Sequence, residues 1–248
     1  MELPDTCYTI DLPMACSGYC YGLSVMGSLL SLGCMKRALI LGCDTTSKSM
    51  SPFDKTLWPL HGDAGTATAL EYSLDAKPMF FNLMSDGKQM EAIIAPASGV
   101  REPITEESLK MIEIGEGIVR NRTHVAMDGM GVFAFTMSKV PKCIKNLLEN
   151  FCIDVDEVDY LLLHQANQYI DEKIRKKMRF SKDKTPYCLE KFGNTSSGTI
   201  PMTMVTKISE QLRGGKNKLV MSGFGAGLSW AAVYVETEFI EVLPLIEI

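Results

Sequence analysis

Lys218-Leu-Val-Met-Ser-Gly-Phe-Gly-Ala-Gly-Leu-Ser-Trp-Ala-Ala-Val-Tyr-Val235 is the stretch whose reading decides the fold. Gly223, Gly225 and Gly227 superficially match a dinucleotide-binding fingerprint. The third glycine is out of register, however, and a strand-like Trp-Ala-Ala-Val-Tyr-Val run follows where that motif needs a helix. The pattern therefore predicts a strand over 218–222, a glycine-rich turn and a second strand over 229–235. Backbone N–H groups of such a turn could form an oxyanion hole.

Working outward, residues 198–212 read as a helix closed by Gly214-Gly215. The same order occurs earlier: a helix over 17–32 ends at Gly33, strand Ala38-Leu-Ile-Leu-Gly42 follows, and Gly62-Asp-Ala-Gly65 leads into Thr66-Ala-Thr-Ala-Leu-Glu-Tyr72. A duplicated fold explains the repeat, although short αβ repeats also recur by chance. Further strands are expected over 7–12, over 37–43 as a run buried on both faces, within 73–90, and over 158–163. Residues 106–122 read as an exposed helix with a charged face, and 141–151 as another helix. Alternating strands and helices mean an α/β fold.

The chain has 248 residues, 46% hydrophobic and 22% charged, enough apolar material for a sizeable core of one domain or two fused halves. A net charge of −5 gives no global attraction to nucleic acid. The eight cysteines are scattered without a Cys-x-x-Cys pair, so neither a disulfide framework nor a metal site is expected. Residues 12–35 carry no charge and are long enough to cross a bilayer. Their serines and glycines suit instead a helix packed by protein on all sides. The acidic start has no basic and apolar leader pattern, so a cytoplasmic protein with free thiols and no membrane span is expected.

Four groups could carry chemistry. Cys16, in Asp11-Leu-Pro-Met-Ala-Cys-Ser-Gly18, falls at a strand-to-helix junction, where helix N–H groups would lower a thiol pKa toward thiolate. The other reading is a small buried hydrophobe, which also serves for Cys20, Cys34 and Cys43. His164 follows Tyr160-Leu-Leu-Leu163 at a strand end, where α/β proteins place ligands, or is a satisfied rim histidine. His61 and His124 lie in ordinary loops. Asn194, in Phe192-Gly-Asn-Thr-Ser-Ser-Gly198, is a helix cap or a hydrogen-bond donor to a bound carbonyl. Between 173 and 184 seven basic residues (Lys173, Arg175, Lys176, Lys177, Arg179, Lys182, Lys184) face one acid, Asp183, which marks a solvated face or a dock for an acidic partner.

Taken together, Ala15-Cys-Ser-Gly18, Leu39-Ile-Leu-Gly-Cys-Asp44, Gly62-Asp-Ala-Gly65, Met127-Asp-Gly129, His164-Gln-Ala-Asn167, Gly193-Asn-Thr-Ser196 and Gly223-Phe-Gly-Ala-Gly-Leu-Ser-Trp230 resemble, in order, the 3-ketoacyl-ACP synthase III family. The resemblance implies a thiolase-like αβαβα fold of two pseudo-duplicated halves, here 1–124 carrying the nucleophile and 125–248 carrying the histidine and asparagine. It implies a decarboxylative Claisen condensation of an acyl-CoA with malonyl-ACP, with Cys16, His164 and Asn194 as catalytic residues. The oxyanion donors would be the N–H groups of Cys16 and Ala226, and Lys173, Arg175, Lys176, Lys177 and Arg179 would dock the carrier. No cofactor is implied beyond the substrates, and the partners are acyl carrier protein and coenzyme A thioesters.

A thiolase would need a second cysteine near the C-terminus, whereas the last is Cys188. An elongating ketoacyl synthase has a second histidine where Asn194 stands. Tyr169 replaces a frequent arginine, and Phe192 a frequent histidine or tyrosine. The resemblance also implies that a strand–helix–strand portion ahead of the nucleophile strand is absent. The chain is then expected to be a fragment of a longer reading frame or a subunit completed by another polypeptide, and its partners to be a second copy in a homodimer or that completing polypeptide. A noncatalytic thiolase-fold subunit, or acyl transfer to an alcohol or amine without decarboxylation, are the alternative functions.

Overall fold

The computed structural model describes residues 3–33 and 35–247; Cys34 lies outside them. The core is a four-stranded sheet in the order β3-β10-β9-β8, built from β3 (Phe80–Ser85), β8 (Tyr160–Leu163), β9 (Lys216–Gly225) and β10 (Ser229–Glu238). The stretch around the glycine turn is thus a hairpin. Its register runs from Ser229 opposite Gly225 to Glu238 opposite Lys216, and β8 joins β9 in parallel, Leu163 beside Ser222.

Side chains alternate across this sheet, so each strand feeds two cores. Leu161, Leu163, Val220, Trp230 and Ala232 pack under α2 (Gly129–Asn150) and α3 (Gln168–Lys177). Leu162, Leu219, Met221, Ala231 and Val233 face α1 (Gly18–Ser31), α5 (Thr199–Lys207) and α6 (Ser209–Gly214). The short α4 (Leu189–Phe192) precedes the Asn194 loop. Beyond α1 lies a second ladder of β1 (Arg37–Asp44) and β2 (Ala64–Glu71), antiparallel with Arg37 opposite Glu71, and Ile40 points into the second core. The layers among the described residues are therefore α, β, α and β.

Asp128 caps α2 by accepting from the N–H groups of Met130 and Gly131. Pro141 lies inside this helix and cannot donate to the carbonyl of Met137. Lys177 supplies the missing donor, its Nζ standing 2.9 Å from that oxygen. Gly33, at φ 76°, closes α1 as the sequence predicts.

Four sequence expectations are corrected. Residues 7–12 form no ladder among the described residues, because β-prone side chains make a strand only beside a partner. β1 is not buried on both faces: Leu39 and Leu41 are 46% and 56% exposed, while Ile40 between them is buried. Residues 106–122 hold a hairpin, β5 (Ile112–Gly115) and β6 (Ile118–Arg120), rather than a helix. There β-branched Ile112, Ile114, Ile118 and Val119 flank a turn at Gly117, whose φ is 68°. The 198–212 helix breaks at Ile208, which leaves helical geometry at φ −132°, ψ 18°. The remaining strands, β4 (Ile93–Ile94) and β7 (Ala126–Met127), pair with each other and lead into α2. No helix of the described residues is long and apolar enough to cross a membrane.

Candidate active site

Cys16 lies in a single 3-10 turn, Ala15–Ser17, that runs into α1. Ala15 enters that turn at φ 43°, a left-handed conformation that costs a residue with a Cβ and so marks an imposed position. What imposes it is the hairpin turn. A Cβ added to Gly223 would sit 2.9 Å from the Ser17 Cα, and one added to Gly225 would sit 2.8 Å from the Cys16 Cβ. Both glycines are there to let the backbones meet. The Ser17 hydroxyl bonds the Ser229 hydroxyl at 2.7 Å, tying the cysteine turn to the start of β10.

His164 follows the last residue of β8 and is buried, its own N–H bonded to the Ser222 carbonyl at 2.8 Å. Asn194 is held by two backbone bonds, its N–H to the Leu60 carbonyl at 2.8 Å and its carbonyl to the Gly62 N–H at 3.0 Å. Ser196 joins all three residues. Its hydroxyl is 3.7 Å from Cys16 Sγ, and its N–H donates to Asn194 Oδ1 at 2.9 Å. Its carbonyl accepts from Thr199 Oγ1, which stands 2.8 Å from His164 Nδ1. Ser196 reaches this position at φ 54°. The ring of Phe224 meets the His164 imidazole edge-on, with centroids 5.3 Å apart.

The electrostatics correct one expectation. The Cys16 thiol is not pulled toward thiolate but pushed up to about 11, chiefly because burial disfavours the anion. The Ser196 hydroxyl and the N–H groups of Cys16 and Ala226 act the other way, and the Asp44 carboxylate adds to the rise. A one-turn helix start cannot outweigh desolvation. Asp44 itself, at the end of β1, accepts from the N–H and hydroxyl of Ser197 at 3.0 and 2.6 Å. His164 is driven down to about 3, first by burial; the Ser196 carbonyl opposes this and His61 reinforces it. Both groups are neutral at physiological pH.

His61, set aside in the sequence as an ordinary loop histidine, pairs with Asn194 in an isolated parallel bridge. Its Nδ1 is 2.9 Å from the Leu57 carbonyl. Nothing in Pro-Leu-His-Gly announces this, since the contact is made between segments far apart in the chain. Ser196 was legible only as part of a motif.

Residues 10–87 match the family described as 3-oxoacyl-[acyl-carrier-protein (ACP)] synthase III, and residues 148–237 match its C-terminal counterpart. The beta-ketoacyl-[acyl-carrier-protein] synthase III of Streptococcus gordonii is 33% identical over 232 residues, 92% of this chain and 68% of that protein. This chain belongs to the 3-oxoacyl-ACP synthase III family. A putative 3-oxoacyl-[acyl-carrier-protein] synthase 3 of Campylobacter jejuni is 34% identical over 94% of this chain and 64% of its own length. The crystal structure of a 3-oxoacyl-(acyl-carrier protein) synthase from Burkholderia xenovorans superposes with a TM-score of 0.89 at 32% identity, covering 98% of this chain and 68% of that one. Synthase III enzymes of this kind are condensing acyltransferases with the thiolase fold, as the sequence motifs imply.

Within this synthase-family chain the basic run is not one uniform face. Arg175 is buried, forked onto Glu172 at 3.0 and 2.7 Å and bonded to the Phe180 carbonyl, so it is not an exposed docking residue. Lys177 is committed to Met137. Lys173 lies over the Tyr169 ring, 5.2 Å from its centroid, and Lys176 and Arg179 are solvent-facing.

Proposed function

We propose that the protein condenses an acyl group with a malonyl group carried by acyl carrier protein, through an acyl-cysteine at Cys16. In the first half-reaction Cys16 Sγ attacks the carbonyl of an acyl-CoA, the C–S bond to coenzyme A breaks and the coenzyme leaves as its thiol, taking up the proton. The N–H groups of Cys16 and Ala226, both of which favour negative charge on the thiol, would hold the oxyanion that forms on the way. In the second, the malonyl carboxylate leaves as carbon dioxide, its bonding pair becomes an enolate, and the enolate carbon attacks the acyl-cysteine, expelling the Cys16 thiolate, which takes a proton from water to restore the thiol.

His164 and Asn194 are assigned to the enolate oxygen. Asn194 Oδ1 is taken by the Ser196 N–H, which leaves its amide N–H groups free to donate. A neutral imidazole donates from one nitrogen only. For His164 Nε2 to donate, Nδ1 must accept the single Thr199 hydroxyl proton, which then turns away from the Ser196 carbonyl, so Thr199 becomes a positioning residue that sets the tautomer. We further assign the nucleophile to an N-terminal half, 1–124, and the enolate donors to a C-terminal half, 125–248. The solvent-facing Lys173, Lys176 and Arg179 remain the proposed contacts to an acidic carrier.

The observation that supports this reading most is the convergence of Cys16, Asn194 and, through Thr199, His164 on Ser196. Intact-protein mass spectrometry after incubation with a panel of acyl-CoAs tests it. One acyl mass should appear and vanish in Cys16→Ala; a label on Cys20 would overturn the assignment.

A further inference from the structure

We infer that His61 is a substrate-binding residue of the condensing half-reaction, its Nε2 holding the malonyl carboxylate beside Asn194 and His164 until carbon dioxide leaves. The inference rests on the function proposed above and adds a residue and a charge requirement to it.

Three observations carry it. First, the backbone of 60–62 is clamped to Asn194 by bonds on both sides of His61, and residues opposed in a parallel bridge put their side chains on the same face. The contact is tight enough that a Cβ on Gly62 would lie 2.1 Å from the Phe192 carbonyl oxygen. His61 therefore shares the face of the Asn194 amide. Second, a carbonyl oxygen only accepts, so the 2.9 Å contact to Leu57 fixes the proton on Nδ1. Nε2 is left without a protein partner, on a half-buried side chain. Third, the charge of His61 acts on His164, whereas the groups acting on Cys16 include Asp44 and not His61. That ties His61 to the enolate donors rather than to the nucleophile.

The locked tautomer gives the site its selectivity. Neutral His61 presents a lone pair at Nε2, which repels a carboxylate, and only the imidazolium presents a donor. Among the described residues no lysine or arginine bonds to Cys16, His164, Asn194 or Ser196. His61 is then the cation available to a carboxylate that enters there. Asp63 is turned to Thr46 and Ser47, Asp44 to Ser197, and Lys191 to Glu247. The contact exists in the ground state and is lost with the carbon dioxide, so it lowers KM rather than raising kcat.

The test compares wild type, His61→Phe and His61→Gln for acylation of Cys16 and for consumption of a malonyl thioester by the acyl-enzyme. Acylation reports an intact fold. Both variants should have KM raised about 10–100-fold, the size of a lost charge-assisted hydrogen bond, with kcat little changed. Variants whose KM keeps the wild-type value overturn the inference alone. Wild-type protein that acylates but never consumes a malonyl thioester overturns the condensing function, and this inference with it.

Discussion

Replacing Gly225 by alanine tests the central geometric claim, that the β9–β10 turn positions the nucleophile. The added methyl would stand 2.8 Å from Cys16 Cβ and 3.0 Å from Sγ. Carbon atoms in contact prefer about 3.5–4.0 Å, so something must yield by about 1 Å. The strand cannot, because Gly225 is registered against Ser229 and the hairpin is sandwiched between two cores. The cysteine turn must move instead, and it is already held in a left-handed conformation at Ala15. Overpacking of this kind costs about 1–3 kcal/mol, which in a chain of this size lowers Tm by about 2–12 °C. A 1 Å displacement of a reacting atom costs about 100-fold in rate. The assay is the rate of single-turnover acylation by acyl-CoA, followed by intact mass, with Tm measured on the same sample. Gly129→Ala is the control, since its Cβ would meet nothing within 4 Å. A folded Gly225→Ala protein that acylates at the wild-type rate would refute the claim.

Other outcomes follow from the same site. His164→Ala or Asn194→Ala should cut malonyl decarboxylation by about 10²–10³-fold, the usual loss for one oxyanion donor, and slow acylation far less; equal loss of both half-reactions would show that these residues only hold the fold. The acylation rate should climb with pH toward about 11, where burial has placed the Cys16 thiol. Ser196→Ala, which removes a bond that favours the thiolate, should displace that profile upward, and Asp44→Asn should displace it downward; a stopped-flow pH series measures both. Charge reversal at Lys173 and Lys176 should raise KM for malonyl-ACP in a salt-dependent way while leaving a small pantetheine substrate unaffected. Arg175→Glu should instead destabilise the fold, because it strands a charge beside Glu172.

The parts of this molecule that were legible in its sequence are those decided within a few residues. The glycine turn reads correctly because a helix and a strand differ in the residues that immediately follow it, and His164 because an apolar run of four must end at a sheet rim. Two features were lost because distant segments decide them, and a third because a turn within the segment outweighs its charge spacing. Residues 7–12 have strand-forming side chains but no neighbour, and 106–122 space their charges like a helix while Gly117 bends them into a hairpin. His61 is an unremarkable loop residue until Asn194 closes on it. Arg175 illustrates the converse. Its place in a basic run suggests solvent, yet Glu172 and the Phe180 carbonyl take its guanidinium inside.

The pKa shifts of Cys16 and His164 constrain how the first half-reaction starts. Desolvation raises the thiol to about 11 and lowers the imidazole to about 3, so each shift disfavours a resting thiolate–imidazolium pair. A pre-formed ion pair of the kind found in cysteine proteases is therefore not the ground state here, and His164 is a poor acceptor for the thiol proton. The groups that do favour negative charge at Cys16 are fixed dipoles, namely the N–H groups of Cys16 and Ala226 and the hydroxyl of Ser196. In the proposed acylation those same N–H groups would hold the carbonyl oxygen as the thioester is attacked. Negative charge is consequently stabilised most where it develops along the reaction, from sulfur to oxyanion, rather than on the free enzyme. On this argument the departing coenzyme A thiolate takes the proton, and acylation by an aryl thioester, whose weakly basic thiolate cannot take it and leaves it to solvent, should rise more steeply with pH. An unchanged pH profile with an aryl thioester would instead place a proton acceptor on the protein.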